Sequence, residues 1–331
     1  MASVTPLPST TRYPCSTLTK PADYPGVFLL ELHSPPDNRM TEHFITSSLI
    51  APLLDVEREY RASLLGLLTT PPPGDSQGWK TPLTPGQYAL VTCGARDKNR
   101  IYSNGLDLNE ALALDHFFQH VLNPLYAKLL AFPIPTVAAI NGHAFAGGFC
   151  LALAHDFRIM KDNEQKGRAL MAMNEAEFGA PIPLGLISIV ETKFPSTTLA
   201  AKCLAEAHRF VAKESLELGI VDALAPESEV VNNSLRLAFE KSIRASTGVY
   251  GMIKVSPKNS SRKFISLPVP ISLTPIPFIP KQPMKKKKKE SVYRKTLETL
   301  GSSGSGNADV KSVHTSRLKQ LSGHKSGASK L

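Results

Sequence analysis

Four short apolar runs stand out along the chain. They are Val27-Phe28-Leu29-Leu30-Glu31-Leu32, Tyr88-Ala89-Leu90-Val91-Thr92-Cys93, Thr136-Val137-Ala138-Ala139-Ile140 and Asp156-Phe157-Arg158-Ile159-Met160. Each has the length and residue types of a strand. Between them, apolar positions are spaced as on a helix. Residues 41–65 carry Phe44, Ile45, Leu49, Leu53, Leu54 and Val56, with an adjustment expected at Pro52. Residues 109–131 form a second helical stretch, ended by Pro133 and Pro135, and Cys150 to Ala154 lie on a third. Further helices are expected at about 198–225 and 228–246. Strand, glycine-rich turn, helix and strand in this order indicate an α/β layered fold.

The organisation follows from where these patterns stop. Residues 1–24, rich in Ser, Thr and Pro, read as a flexible N-terminus, and residues 25–195 as the core. Within the core, residues 66–87 hold Pro71-Pro72-Pro73-Gly74 and read as a loop or insertion. Residues 196–252 read as a C-terminal helical part, and residues 253–331 as a mostly disordered basic tail with a short helix at 290–300.

Charge changes this picture in one respect. The net charge is +10, but residues 254–331 hold 17 Lys and Arg against 3 Asp and Glu. Residues 1–253 hold 21 against 25, so the folded part is mildly acidic. A basic nucleic-acid groove has no support there, and the Lys285 to Lys289 run reads as a solvated charge run. Cys15, Cys93, Cys150 and Cys203 are scattered without a CxxC pair, which argues against a zinc site or a disulfide scaffold. No apolar run has the length of a membrane span, and residues 1–25 lack the apolar stretch of a secretory signal.

Two glycine turns carry the candidate chemistry. In Asn141-Gly142-His143-Ala144-Phe145-Ala146-Gly147-Gly148, a strand passes into a helix whose first N–H groups are unpaired. Such groups favour developing negative charge. A tight turn in which glycine only avoids a clash explains this segment equally well. In Ile101-Tyr102-Ser103-Asn104-Gly105-Leu106-Asp107-Leu108, another strand turns through Gly105 toward a helix. Asp107 there reads first as a helix cap.

Taken together, the two turns resemble the crotonase superfamily of enoyl-CoA hydratases and isomerases, over residues 25–250. The resemblance implies a β-β-α superhelical core, a C-terminal helical part that forms homotrimers or larger homo-oligomers, and an acyl-CoA thioester as substrate. It also implies an oxyanion hole made by the backbone amides of Leu106 and Gly147, with Gly105, Asp107, His143, Ala144 and Gly148 lining the substrate. No metal or redox cofactor is implied. Hydratases of this family carry a glutamate three positions after the oxyanion glycine, where this chain has Cys150, which puts hydration in doubt. Met173-Asn174-Glu175-Ala176-Glu177-Phe178-Gly179 resembles the isomerase segment that presents the catalytic base, and Glu175 occupies the matching position with Glu177 as its competitor.

One carboxylate suffices for that chemistry. It takes a proton from C2 of a 3-enoyl-CoA and returns it at C4 while the oxyanion hole holds the dienolate. Met173 and Phe178 are expected to supply apolar surroundings that raise its pKa. Cys150 reads as a small buried residue, and His143 and His155 as structural histidines or substrate contacts. The pattern resembles the fungal and plant peroxisomal 3,2-enoyl-CoA isomerases, and Ser329-Lys330-Leu331 is the tripeptide read by the peroxisomal import receptor. The expected place is the peroxisomal matrix. Hydration, dienoyl-CoA isomerisation and non-catalytic acyl-CoA binding are the alternatives. Residues 255–285 and 66–86 look inserted relative to that family.

Overall fold

The computed structural model describes residues 4–66, 68, 84–97, 100–162 and 169–254. The chain opens with an antiparallel hairpin, β1 (Thr10–Tyr13) and β2 (Ser16–Thr19), where the sequence suggested a flexible stretch over residues 1–24. Its two-residue turn is Pro14-Cys15, and Ser16 and Leu18 point inward while Thr17 and Thr19 do not. The buried Ser16 hydroxyl donates to the Ser48 carbonyl at 2.7 Å, which satisfies the polar group that hid this strand from a hydrophobicity reading.

Strand β3 (Val27–Leu32) comes next, then α1 (Glu42–Phe44), a π-helical segment (Ile45–Ile50) and α2 (Ala51–Leu64). Pro52 sits in the first turn of α2, where its missing N–H costs nothing. After β4 (Ala89–Gly94) and β5 (Ile101–Ser103), the same device recurs: α3 (Leu108–Ala113), a π segment (Phe117–Leu122), and α4 (Asn123–Leu130) with Pro124 in its first turn. The single helix expected over 109–131 is therefore broken at Leu114, which has extended backbone.

The chain continues through β6 (Thr136–Ile140), β7 (His143–Phe145), α5 (Gly147–Leu153), β8 (Phe157–Lys161), β9 (Met171–Ala172), α6 (Glu175–Phe178) and α7 (Leu184–Lys193). It ends with α8 (Thr197–Ala205), α9 (Ala212–Glu217), β10 (Ala223–Ala225), α10 (Val230–Ser242), a 3-10 turn (Ile243–Thr247) and α11 (Tyr250–Lys254). The helix expected at 198–225 is thus two helices and a strand. Ala207 takes a positive φ of 52° after α8, and Phe210 then pairs back onto Met171.

Two sheets organise these elements. The larger has the order β1-β2-β3-β4-β6-β8-β10, parallel from β3 onward. The smaller, β5-β7-β9, is parallel throughout. Phe28, Leu30 and Leu90 face the main core, while Val27, Leu29 and Val91 pack on the other face with Val230, Leu235 and Ala238 of α10. Burial on both faces explains why these strands read as unbroken apolar runs. Within residues 196–252, which are mostly helical, β10 joins the larger sheet and α10 packs on its face. The tail, its helix at 290–300, most of the 66–87 loop and Ser329, Lys330 and Leu331 lie outside the described residues.

Candidate active site

The two glycine turns meet. Gly105 has φ 81°, and a Cβ added there would lie 2.9 Å from both the Ala146 Cβ and the Phe145 carbonyl oxygen, and 3.3 Å from the Gly147 nitrogen. Only glycine allows that approach. Asn38 holds the neighbouring segment: its side chain donates to the carbonyls of Leu32 and Tyr102, both at 3.1 Å. Met40 then brackets the turn, its N–H donating to Gly105 O at 2.7 Å and its carbonyl accepting from Asp107 N at 3.2 Å. Between those two bonds, the Leu106 amide finds no acceptor among the described residues, and neither does the amide of Gly147.

Gly147 opens α5, so its N–H precedes the first intrahelical bond. The residue before it, Ala146, is held at φ 50° and ψ −125°, a conformation that L side chains rarely adopt. Its N–H donates to the Ala172 carbonyl at 2.8 Å. Gly148 and Gly142 answer to packing: a Cβ on them would lie 2.2 Å from the Ser103 carbonyl oxygen and 2.2 Å from the Arg100 carbonyl carbon. The packing reading of this segment therefore describes Gly142 and Gly148, while at Gly147 the amide is without an acceptor among the described residues. Asn141 is structural as well, exchanging side-chain hydrogen bonds with Gly94 N and O at 2.8 and 3.0 Å.

Asp107 caps α3 by accepting from Glu110 N at 3.1 Å, as its position in the sequence suggested. His143 is half-buried, accepts from Leu170 N at 3.2 Å through Nδ1, and stacks on Phe145; burial lowers its pKa. Ala144 beside it is fully buried. His155 is a core histidine, bound to Thr92 at 3.0 Å and the Leu151 carbonyl at 2.8 Å, with burial bringing its pKa down to about 4.

Glu175 and Glu177 occupy opposite environments. Glu177 is exposed and bound by both oxygens to the Arg209 guanidinium at 2.6 and 2.7 Å. Glu175, the first residue of α6, is 6% exposed, and its Oε2 is buried with no hydrogen-bond partner. Burial pushes its pKa up to about 7. Met173 and Cys150 pack on this side of the core, their sulfur atoms 3.7 Å apart. Phe178 is 52% exposed and does not supply the apolar cover expected of it. Cys150 itself is fully buried, and its thiol is held in the protonated form by burial first and by the Glu175 charge second.

Tyr126 was not legible as a site residue in the sequence. It is fully buried on α4, and its hydroxyl donates to Gly147 O at 2.8 Å. Burial above all keeps that hydroxyl protonated. Among the described residues no group of three His, Cys, Asp or Glu side chains is placed to hold a metal ion, and no helix is long and apolar enough to cross a membrane.

A model of the enoyl-CoA hydratase/isomerase family matches residues 89–263. The chain is 32% identical over 189 residues to the peroxisomal enoyl-CoA delta isomerase 2 of Arabidopsis thaliana, across 54% of this chain and 75% of that protein. It is 27% identical over 223 residues to the mitochondrial enoyl-CoA delta isomerase 1 of Homo sapiens, across 66% and 63% of the two. Among solved structures, a methylmalonyl-CoA decarboxylase bound to 2-nitronate-propionyl-CoA superposes with a TM-score of 0.60 at 15% identity, covering 93% of this chain and 97% of that one. At that identity the likeness speaks for the fold alone.

Proposed function

The chain belongs to the enoyl-CoA hydratase/isomerase family, and from that premise we propose that it converts 3-enoyl-CoA to trans-2-enoyl-CoA in the β-oxidation of unsaturated fatty acids. The observation that carries this reading is Glu175: a buried carboxyl with an unpartnered oxygen and a pKa of about 7, near a turn whose amides lack acceptors among the described residues. In the proposed reaction the Glu175 carboxylate removes a proton from C2. The C2–H electron pair then forms the C1–C2 double bond of a dienolate, whose negative charge sits on the thioester oxygen. The amides of Leu106 and Gly147 bind that oxygen, with Gly105, Asp107, His143, Ala144 and Gly148 around the substrate. Return of the same proton to C4 converts the C3–C4 double bond into a C2–C3 double bond. Protons and electrons balance without a metal or an electron acceptor.

Hydration needs a second carboxylate, and Cys150 at that position is a buried, protonated thiol. Glu177 is not the base in this account, because Arg209 occupies both of its oxygens. The relatives called delta isomerases support the choice of reaction. The peroxisomal name of the Arabidopsis relative and the Ser329-Lys330-Leu331 ending support a place in the peroxisomal matrix through its import receptor, whereas the human relative is mitochondrial. Loss of import on deleting the last three residues tests the address. A homotrimer or larger homo-oligomer completes the reading and is checked by light scattering. The decisive assay incubates the purified chain with 3-enoyl-CoA and follows conjugated 2-enoyl-CoA. Turnover that Glu175→Gln abolishes is expected; acyl-CoA binding without turnover would point to a non-catalytic relative, and turnover only of dienoyl-CoA or of 2-enoyl-CoA with water would replace the reaction.

A further inference from the structure

We propose that Tyr126 is a positioning residue that fixes the oxyanion turn by holding the carbonyl of Gly147 from outside its helix. The inference rests on the oxyanion role of the Gly147 amide given above. Gly147-Gly148 is the most flexible pair of residues available to a backbone, yet an oxyanion donor has to be held to about 0.5 Å. Three anchors restrain it. Ala172 O accepts from the Ala146 N–H at 2.8 Å, and Ser103 packs against the Gly148 Cα. The third is the Tyr126 hydroxyl, 2.8 Å from Gly147 O and 3.1 Å from where a Gly147 Cβ would be.

The first two anchors come from strands of the smaller sheet, β9 and β5. Tyr126 comes from a separate helix, which the π segment Phe117–Leu122 and Pro124 set in register before it. A π segment adds a residue to a helical turn and so rotates the helix C-terminal to it. That rotation places a fully buried phenol behind the oxyanion glycine, on a carbonyl that the first turn of α5 also uses. The same site gathers Met40 Cε at 3.0 Å and Leu106 Cδ2 at 3.1 Å from the would-be Cβ, so Gly147 is closely packed on the side from which the hydroxyl bond holds it.

The test uses the full chain as wild type, Tyr126→Phe, and Tyr60→Phe as a control that removes an equally buried hydroxyl bond, the one to Ala245 O at 2.9 Å. The probe is butyryl-CoA labelled with carbon-13 at the thioester carbonyl, which binds without turnover. Its infrared stretch moves to lower frequency when the oxyanion donors are aligned. Tyr126→Phe is expected to lose most of that downshift and to lower kcat about tenfold or more with little change in KM; Tyr60→Phe keeps both. If wild type fails to isomerise 3-enoyl-CoA but Tyr126→Phe still loses the downshift, the reaction assignment falls and the positioning role stands. A wild-type downshift and kcat in folded Tyr126→Phe would overturn the role. Where that variant does not fold, ring-fluorinated tyrosine at 126 keeps the packing and alters donor strength, and a downshift unaffected by fluorination overturns it equally.

Discussion

The two ends of β6 bury charge in opposite ways. At the Thr136 end, the buried groups are answered. Asp156 accepts from Thr136 N and Oγ1 at 2.9 and 3.1 Å and from Lys254 at 2.8 Å. Arg158 donates to Ile220 O, His155 O and Asp222, and Lys193 donates to His155 O. Beyond the Asn141 end, in the segments that follow the strands of the smaller sheet, Glu175 keeps an oxygen with no partner and two turn amides find no acceptor among the described residues. The satisfied end fastens α11 to the sheet. In the proposed reaction, a thioester with an acidic C2 proton would supply the partners that these groups lack. Of the buried side-chain oxygens without a partner among the described residues, those of Thr11, Asp37 and Glu175, only the last belongs to a carboxyl whose pKa burial raises to about 7.

Breaking each end separates the two roles. Glu175→Gln keeps the shape and removes the base, and a fall in kcat of about a thousandfold or more is expected in steady-state assays of 3-enoyl-CoA isomerisation. At the other end, Asp156→Ala strips Lys254 and Thr136 of their acceptor. Denaturant unfolding should show a loss of about 3–5 kcal/mol, with activity per folded molecule retained.

A subtler contrast concerns pH. The folded pKa of Glu175 lies above its unfolded value, so the folded protein binds the extra proton. That contribution is fully present below about pH 4.5 and is lost as pH rises toward 7, an overall cost of roughly 3 kcal/mol. Glutamine carries no charge to desolvate. Glu175→Gln should therefore unfold at higher denaturant than wild type at pH 8 and match it at pH 4. The smallest effect belongs to Glu177→Gln, which loses only an exposed ion pair: stability within about 0.5 kcal/mol and unchanged kcat.

The sequence shows some of this and hides the rest for physical reasons. Strands β3 and β6 were legible to the residue, because burial on both faces leaves an unbroken apolar run. The β1–β2 hairpin was not: its inward Ser16 is polar and satisfied by a contact with Ser48, 32 residues away. The glycine turns announced themselves because close backbone approach leaves few residue choices. Glu175 and Glu177, two positions apart in a short helix, could not be told apart until Arg209 was seen on one and Met173 and Cys150 on the side of the other. Tyr126 left no local trace, since its role depends on a π segment that sequence periodicity reads as ordinary helix.

The central claim is that Glu175 acts as a base tuned to neutral pH by burial. The pH dependence of kcat/KM for 3-enoyl-CoA, which reports the free enzyme's essential groups, tests it most directly. A rise through an apparent pKa of about 7, absent in Glu175→Gln, is the result predicted from the burial of its carboxyl. A profile flat from about pH 5 to 8, or one that Glu175→Gln preserves, would contradict it.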